Sequence, residues 1–293
     1  MYDIAWYGEA GSVAEAIALL QARPRACPVA GGSDVLIRIK KGKIRDAELV
    51  GIYGIPGLQG VGLESDGTIV IGSGTTFSQV IADPLLRARV PLLTEAAATV
   101  GGPQIRNLAT IGGNICNGAP SADSAPALLA LDARLRIEGP LGSRVTALRD
   151  FYRGPGRVDL KRDEILTAIL LAPDDYRGMG GCYIKFAGRA AMDIAILGCA
   201  AVCRLNGNVV EDFRLALGVA GPTPLRCPRT EALVRGSVFS ESLLAAMAET
   251  AVSEAGPRSS WRASKEFRLH LVAELSKRAF REAFIKAGGE ISC

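Results

Sequence analysis

Residues 101–126, GGPQIRNLATIGGNICNGAPSADSAP, are the stretch that decides the architecture of this chain. Their glycines and prolines predict a long irregular connection, and such a connection inside a globular domain is usually functional or disordered. Core-type apolar residues recur in it, which argues against disorder: Ile105, Leu108, Ile111 and Ile115. We therefore expect an ordered loop with a functional role.

Within this loop, the segment TIGGN from Thr110 to Asn114 pairs two glycines with short polar side chains. Gly112 and Gly113 can leave backbone N–H groups free for an anion, and the missing Cβ atoms let a phosphate approach. Asp123 follows closely and could accept hydrogen bonds from ribityl or ribose hydroxyls. The alternative is an ordinary loop carboxylate or helix N-cap.

A second pair of glycines occurs earlier, in the segment VAGGSD at residues 29–34. Consecutive backbone N–H groups at such a turn can form an anion site, and the hydroxyl of Ser33 could add a donor. The segment matches neither GxGxxG nor the phosphate loop with GK[ST]. A plain strand-to-helix turn is the alternative. Two such turns in one domain suggest a ligand longer than a mononucleotide.

Composition bounds the function classes. The 293 residues suggest about two domains. The net charge of +4 comes from 34 basic and 30 acidic residues, mostly interspersed, which is too weak and mixed for a nucleic-acid binder. No apolar run approaches the roughly 18–20 residues that span a bilayer. The start, MYDIAWYGEAG, lacks the basic region of a signal peptide, so we expect a cytoplasmic protein.

Side chains suited to metal or acid–base chemistry are scarce. A single histidine, His270, excludes most zinc and copper sites and most histidine-based triads. Four cysteines fall in one region and could be iron–sulfur ligands: Cys182, Cys199, Cys203 and Cys227. The apolar run around Cys199 and Cys203 favours one buried strand face instead. We expect no metal site and no catalytic side chain, which directs attention to a bound cofactor or a partner subunit.

The order of predicted elements indicates an α+β protein. Ser12 is predicted to cap a first helix, VAEAIALLQAR. Residues 172–181, APDDYRGMGG, are the best candidate linker, and three strand-like runs follow. The last two runs meet at Asn206-Gly207, a strong hairpin signal. Two helices complete the chain, over residues 241–255 and about 262–287. Strands followed by helices are typical of α+β folds.

A basic cluster surrounds the start of the last predicted helix, next to Trp261. Its members are Arg258, Arg262, Lys265 and Arg268. Such a cluster is most simply a solvated helix face. The alternative is a docking surface for an acidic partner.

The two glycine motifs also carry a family resemblance. AGGSD at residues 30–34 and IRNLATIGGNICNGAPSADSAPALLALDA at residues 105–133 resemble the FAD-binding, medium-sized subunit of the molybdenum hydroxylases. That family includes carbon monoxide dehydrogenase and xanthine dehydrogenase. The likeness covers nearly the whole chain, and TIGGN with the downstream SADSAP is its most specific part. GPRSSWRASKEFRLHL at residues 256–271 is most similar to the bacterial xanthine dehydrogenase branch.

The resemblance implies a fold and a division of the chain. Residues 1–175 would form an FAD-binding domain of the vanillyl-alcohol-oxidase (PCMH) type, built as two α+β subdomains. Residues 176–293 would form a C-terminal domain of the CO-dehydrogenase flavoprotein type, with an antiparallel sheet and helices. The candidate linker at residues 172–181 agrees with this division.

The resemblance also implies cofactor-binding residues. The first motif would bind the FAD diphosphate through Pro28, Val29, Ala30, Gly31, Gly32, Ser33, Asp34 and Val35. The second motif would contact the cofactor through Thr110, Ile111, Gly112, Gly113 and Asn114. Further implied contacts are Val100, Asp123, Leu166 through its backbone, Lys185 and Ile194. Lys185 near the isoalloxazine could stabilise reduced flavin, and its alternative role is a surface salt bridge.

The same resemblance implies that the chain is an electron-transfer subunit with non-covalent FAD. A molybdopterin-binding large subunit and an iron–sulfur small subunit with [2Fe–2S] clusters would be its partners, in a dimer of heterotrimers. NAD⁺ would be the acceptor in a xanthine or purine dehydrogenase. Two alternatives stay open, a self-sufficient FAD-dependent oxidase or dehydrogenase and a flavin-free scaffold subunit. The chain lacks the inserted cysteine-rich loop of the benzoyl-CoA-type reductases.

Overall fold

The computed structural model describes residues 2–291, and a small parallel sheet opens the chain. Its elements are β1 (Ile4–Glu9), α1 (Val13–Ala22), β2 (Cys27–Val29), α2 (Val35–Lys40) and β3 (Ala47–Gly51). The strand order is β1-β3-β2, and both pairs are parallel. Ser12 caps α1 as predicted, because its Oγ accepts a hydrogen bond from the backbone N–H of Glu15 at 3.1 Å.

A five-stranded antiparallel sheet and the helices that pack against it form the second unit. Its strands, with a small separate hairpin of β8 and β9, are β4 (Val61–Leu63), β5 (Ile69–Gly72), β6 (Arg134–Gly139), β7 (Gly142–Ala147), β8 (Tyr152–Gly154), β9 (Arg157–Val158) and β10 (Ile165–Leu171). The order in the sheet is β4-β5-β10-β6-β7. Alternate residues such as Ile69, Ile71 and Ile137 are fully buried, as expected for the covered face of a strand.

The helices of this unit lie between β5 and β6 in the chain. They are α3 (Phe77–Ala82), α4 (Pro84–Arg89), α5 (Pro91–Ala98), α6 (Pro103–Arg106), α7 (Ile111–Cys116) and α8 (Ser124–Ala130). The expected irregular connection at residues 101–126 is therefore wrong in its detail, since it contains α6, α7 and the start of α8. These helices are too short to show a clear periodicity, and their glycines and prolines obscure what remains. The expectation that this segment is ordered is confirmed, because Ile111 and Ile115 are fully buried.

An antiparallel sheet followed by helices makes up the C-terminal part. Its elements are α9 (Pro173–Tyr176), β11 (Gly180–Phe186), β12 (Leu197–Asn206), β13 (Val209–Gly218), β14 (Leu225–Arg226), α10 (Pro228–Val234), α11 (Glu241–Glu254) and α12 (Lys265–Lys286). The strands follow one another in sheet order. The predicted hairpin is confirmed: Asn206 pairs with Val209, and Gly207 has φ +60°. The α+β class is likewise confirmed.

The two faces of this C-terminal sheet pack against different helices. Ala200, Val202 and Ala216 join the core of the five-stranded unit, which contains α5 and α8. The other face forms a second core with α11 and α12, and it includes Cys199 and Cys203. The predicted buried face for these two cysteines is confirmed, and burial raises the pKa of the Cys203 thiol to about 12. The C-terminal sheet thus lies between the two sets of helices.

Two residues of α12 differ in their exposure. His270 is exposed on α12, outside the buried stripe that contains Leu271 and Leu275. Arg268 in the first turn of α12 is buried, with 3% of its surface exposed, so the interpretation of the whole basic cluster as a solvated face is wrong for this residue. None of the helices described here combines the length and the apolar character needed to cross a bilayer.

Candidate functional site

The first glycine motif is the turn between β2 and α2. Gly32 has φ +71°, a left-handed conformation that glycine adopts without strain. Among the hydrogen bonds of the described chain, the backbone N–H groups of Gly31, Gly32 and Ser33 have no protein acceptor. Three neighbouring N–H groups without acceptors are suited to an anion such as a diphosphate. The first glycine motif is therefore a strand-to-helix turn that can also bind an anion.

The first motif packs directly against the residues that precede the second. A Cβ atom on Gly31 would overlap the carbonyl oxygen of Leu108 and lie 2.5 Å from its carbonyl carbon. Only glycine permits that approach of two backbones. The chain runs from Leu108 through Ala109 to Thr110, so the two glycine motifs form one continuous surface.

The second motif is a helix start, not a turn with free N–H groups. Thr110 caps α7, and its Oγ1 accepts a hydrogen bond from the N–H of Gly113 at 3.1 Å. The N–H of Gly112 donates to the carbonyl of Ser73 at 2.8 Å. The expectation that Gly112 and Gly113 wrap a diphosphate with free N–H groups is therefore wrong. Gly112 is required for packing, since a Cβ there would lie 2.5 Å from that of Ser73.

A buried ion pair lies further along the same surface. Lys185 Nζ donates to Asp123 Oδ2 at 2.8 Å and to the carbonyl of Thr99 at 2.9 Å. The side chains of Lys185 and Asp123 are 9% and 10% exposed, so the surface salt bridge proposed as an alternative for Lys185 is wrong. Burial raises the pKa of the Asp123 carboxyl, while Lys185 and the hydroxyl of Tyr183 oppose that rise.

Asp123 serves this pair and not the helix that follows it. It occupies the N-cap position of α8, yet its side chain makes no capping hydrogen bond. Its Oδ1 accepts instead from the hydroxyl of Tyr183 at 3.3 Å. The next residue, Ser124, donates through Oγ to Asn114 Oδ1 at 2.8 Å. Asn114 and Ser124 therefore connect the second glycine motif to the ion pair.

The remaining predicted residues divide between this cluster and other places. Val100 follows Thr99 and is buried, so it lies beside Lys185. The loop between β11 and β12 approaches the same strip of chain, because the N–H of Met192 donates to the Gly101 carbonyl at 3.1 Å. Ile194 lies on this loop and is 47% exposed.

Leu166 is placed elsewhere, within the five-stranded sheet. It pairs with Ile137 across from β6 and is 4% exposed. The register shifts between Leu166 and Ala168, an irregularity in the middle of β10. No described contact joins Leu166 to the ion pair, so its implied backbone contact stays a prediction.

Three contributors to this surface were not predicted. Arg106 fixes the backbone around Thr99, since its Nη1 donates to the carbonyls of Ala98 and Val100 at 3.1 and 3.0 Å. Tyr183 could have been found, because residues two apart on a strand share a face with each other and Lys185 follows by two. The Thr99 carbonyl has no sequence signal, since any residue supplies one.

These contacts order the site from one end to the other. The free N–H groups of Gly31 to Ser33 form the first end, and the Asp123–Lys185 pair marks the second. Leu108, Thr110 and Asn114 lie between them through the contacts given above. Such an elongated arrangement suits the part of a dinucleotide that extends from its anionic diphosphate.

Comparison with known proteins identifies the class. The family model described as the FAD binding domain in molybdopterin dehydrogenase matches residues 2–173. The model of the CO dehydrogenase flavoprotein C-terminal domain matches residues 182–283. The chain therefore belongs to the FAD-binding medium subunits of the molybdopterin hydroxylases, and it is an oxidoreductase subunit.

Individual relatives refine the comparison. The chain is 45% identical over 291 residues to the xanthine dehydrogenase FAD-binding subunit of Escherichia coli O157:H7, covering 99% of this chain and 100% of that protein. It is 34% identical to the carbon monoxide dehydrogenase medium chain of Hydrogenophaga pseudoflava, covering 94% and 95%. A solved structure of carbon monoxide dehydrogenase from the same organism superposes with a TM-score of 0.93 at 32% identity, covering 98% of this chain and 99% of that one.

The residues present fit the FAD that this family binds. The amides of Gly31, Gly32 and Ser33 are donors for a diphosphate, and the close packing at Gly31 holds them in place. At the other end, Lys185 uses two of its three ammonium hydrogens on Asp123 and Thr99, which leaves one for a ligand. Both ends therefore offer hydrogen-bond donors with fixed positions.

Proposed function

We propose that this chain is the FAD-binding electron-transfer subunit of a xanthine dehydrogenase-like molybdenum hydroxylase. The observation that carries the proposal is the continuous surface from the free N–H groups at Gly31 to the buried pair of Asp123 and Lys185. The similarity to the E. coli subunit over its full length supports the purine branch.

The proposed electron path joins three chains. Substrate is oxidised at a molybdopterin-binding large subunit, and electrons pass through [2Fe–2S] clusters on a small subunit to this chain and then to NAD⁺. When bound, FAD accepts electrons singly and delivers them in pairs as a hydride. The name of the related carbon monoxide dehydrogenase medium chain supports an assembly of several subunits. We propose a dimer of heterotrimers in the cytoplasm.

The chain's own residues hold and orient the cofactor in this proposal. Gly31, Gly32 and Ser33 bind the diphosphate through their N–H groups, with the flanking residues from Pro28 to Val35 completing the turn. Lys185 and Asp123 fix each other, so the remaining hydrogen of the ammonium group points in a set direction without loss of side-chain entropy on binding. We assign the chain's residues to cofactor binding and to no proton transfer.

We also propose that the chain divides near residue 175 into an FAD-binding domain and a C-terminal domain. β10 ends at Leu171 and β11 begins at Gly180, which supports a boundary between them. The C-terminal domain would contribute Lys185 and the loop with Ile194 to the flavin site. Both domains are then needed for binding.

The test is the pigment of the purified chain. A visible absorption spectrum, followed by release of the pigment on denaturation and its chromatographic identification, should give about one non-covalent FAD per chain. Reconstitution with the two partner subunits should give xanthine-dependent reduction of NAD⁺. A covalent flavin would favour the self-sufficient oxidase, and a colourless chain that ignores added FAD would favour the scaffold subunit.

A further inference from the structure

Around the start of α12 the basic residues outnumber the acidic ones, of which the first turn contains Glu266. Further along α12, basic residues have acidic partners: Arg278 contacts Glu274 at 2.7 Å and Arg281 contacts Glu241 at 2.6 Å. Within residues 2–291, by contrast, no carboxylate lies within 4 Å of the cationic groups of Arg258, Arg262, Lys265 or Arg268. A helix N-terminus is itself positive, so this clustering opposes the helix dipole.

Arg268 makes the imbalance costly because it is buried. Its Nη1 donates to the Ile196 carbonyl and its Nη2 to Ser260 Oγ, both at 2.9 Å, and both acceptors are neutral. Its Nε has no partner in the described chain. Burial, followed by the charges of Arg258 and Arg262, lowers the pKa of this guanidinium. Buried charges are normally paired, so an anion placed close to this guanidinium would stabilise it.

Exposed aromatic rings surround these arginines. Trp261 is 86% exposed, and the guanidinium of Arg262 stacks 4.2 Å from its ring centroid. Phe186 and Phe267 are also exposed and meet edge to face at 5.9 Å. Tryptophan and arginine are enriched among the residues that dominate the energetics of protein interfaces.

These groups form one surface. Phe186 accepts through its carbonyl from the N–H of Ile196 at 2.8 Å, and the Ile196 carbonyl accepts from Arg268. Arg268 in turn reaches Ser260, the neighbour of Trp261. We call it the aromatic–arginine surface; its exposed members are Phe186, Arg258, Trp261 and Phe267, and Arg262 is half-buried among them.

We propose that the aromatic–arginine surface docks an acidic, partly apolar segment of a partner subunit of the complex. This inference rests on the proposed function, since it needs the partner subunits. Carboxylates of the segment pair with Arg258 and Arg262, and its apolar side chains cover Trp261 and Phe267. The same contacts place negative charge above the buried Arg268.

A phosphate is a poorer occupant than a carboxylate segment. Phosphates at helix ends use free backbone N–H groups. Here the N–H of Lys265 donates to Ser259 Oγ at 2.9 Å and that of Phe267 to Ser264 Oγ at 3.1 Å. The side-chain guanidinium groups and the aromatic rings remain, and these match a protein surface.

The test compares two variants of the full chain, Trp261→Ala and Arg262→Glu, with Arg87→Glu as control. Arg87 is exposed on α4 and is not in an ion pair of the described chain, so its change carries the same charge reversal. Association with the co-purified large and small subunits is measured by surface-immobilised binding. Each surface variant should weaken binding about 30-fold, the size of an interface hot spot. The control should bind like the wild type.

Flavin content separates this inference from the proposed function. All three variants should retain the FAD of the wild type, because none of the changed residues lies in the flavin site. Binding by the wild type should weaken with salt, and less so for Arg262→Glu. If both surface variants bound the partner subunits like the wild type, the docking surface alone would be overturned. The same holds if the surface variants bound NAD⁺ more weakly while their affinity for the partner subunits was unchanged. A wild type that lacks flavin or joins no partner would overturn both proposals.

Discussion

Replacing Gly31 by alanine tests the contact that joins the two glycine motifs. The added Cβ would overlap the Leu108 carbonyl oxygen and lie 2.5 Å from its carbon, where ordinary contacts begin at 3.4 Å. The carbon alone requires the two backbones to separate by about 0.9 Å, and the closer carbonyl oxygen requires more. No flexible side-chain end is available to absorb this movement, because the obstructing atoms belong to the backbone.

The size of the effect follows from that displacement. Overpacking of a close contact costs typically about 1–3 kcal/mol, and a backbone obstruction belongs at the upper end. We expect unfolding free energy to fall by about 3 kcal/mol for Gly31→Ala. A hydrogen bond to a charged group contributes about 2 kcal/mol, so misplacing one amide of the motif should weaken FAD binding roughly 30-fold.

The assays are urea unfolding of the chain and titration of the flavin-free chain with FAD. Gly57→Ala is the matched control, since a Cβ there would meet nothing within 4 Å. That variant should unfold and bind FAD like the wild type. If Gly31→Ala also kept wild-type stability and FAD affinity, the close approach of the motifs would not be needed, and the reasoning would fail.

Three further predictions concern ionisable groups that are buried or half-buried. Lys185→Met leaves the Asp123 carboxylate buried without its cation, so the unfolding free energy at pH 7 should fall by about 3 kcal/mol relative to the wild type. This loss should become smaller on acidification, because Asp123 then protonates. Equal losses at pH 7 and pH 5 would contradict the prediction. Burial raises the pKa of the Cys116 thiol to about 12, so iodoacetamide at pH 8 should label it only after unfolding, which peptide mass analysis can check. The Arg144 guanidinium lowers the pKa of the Glu164 carboxyl in the folded state. The ion pair therefore stabilises the fold above the unfolded-state pKa, and this stabilisation is lost as the pH falls through the lower folded-state pKa. The difference in unfolding free energy between the wild type and Arg144→Met, measured by urea unfolding, should narrow below about pH 4.5.

Local features of the fold could be predicted because their causes are local. Ser12 caps α1 through a residue three positions on, and Asn206-Gly207 turns a hairpin whose strands flank it. The helix predicted over about residues 262–287 corresponds to α12, which spans Lys265–Lys286. These elements depend on neighbouring residues, so their patterns are visible along the chain.

The roles of residues that make long-range contacts could not be predicted from the sequence. Gly112 resembles a phosphate-binding glycine, yet its N–H donates to the carbonyl of Ser73, which directly follows β5. Asp123 resembles a helix cap, yet its partner is Lys185, 62 residues away. Arg268 lies among charged residues in the sequence and is buried in the structure. Tertiary packing decides the role of each of these residues, and one-dimensional spacing does not report it.

The two ends of the site come from different parts of the chain. The amides of Gly31 to Ser33 and the carboxylate of Asp123 come from the part of the chain before β11, whereas Lys185 lies on β11 itself. The ion pair is therefore formed only when the C-terminal sheet packs against α5 and α8. Arg268 connects the same C-terminal part, through Ile196, to the loop that contains Ile194. A partner bound at the aromatic–arginine surface would therefore contact both the strand and the loop that flank the ion pair, because Phe186 follows Lys185 on β11 and the Ile196 carbonyl accepts from Arg268.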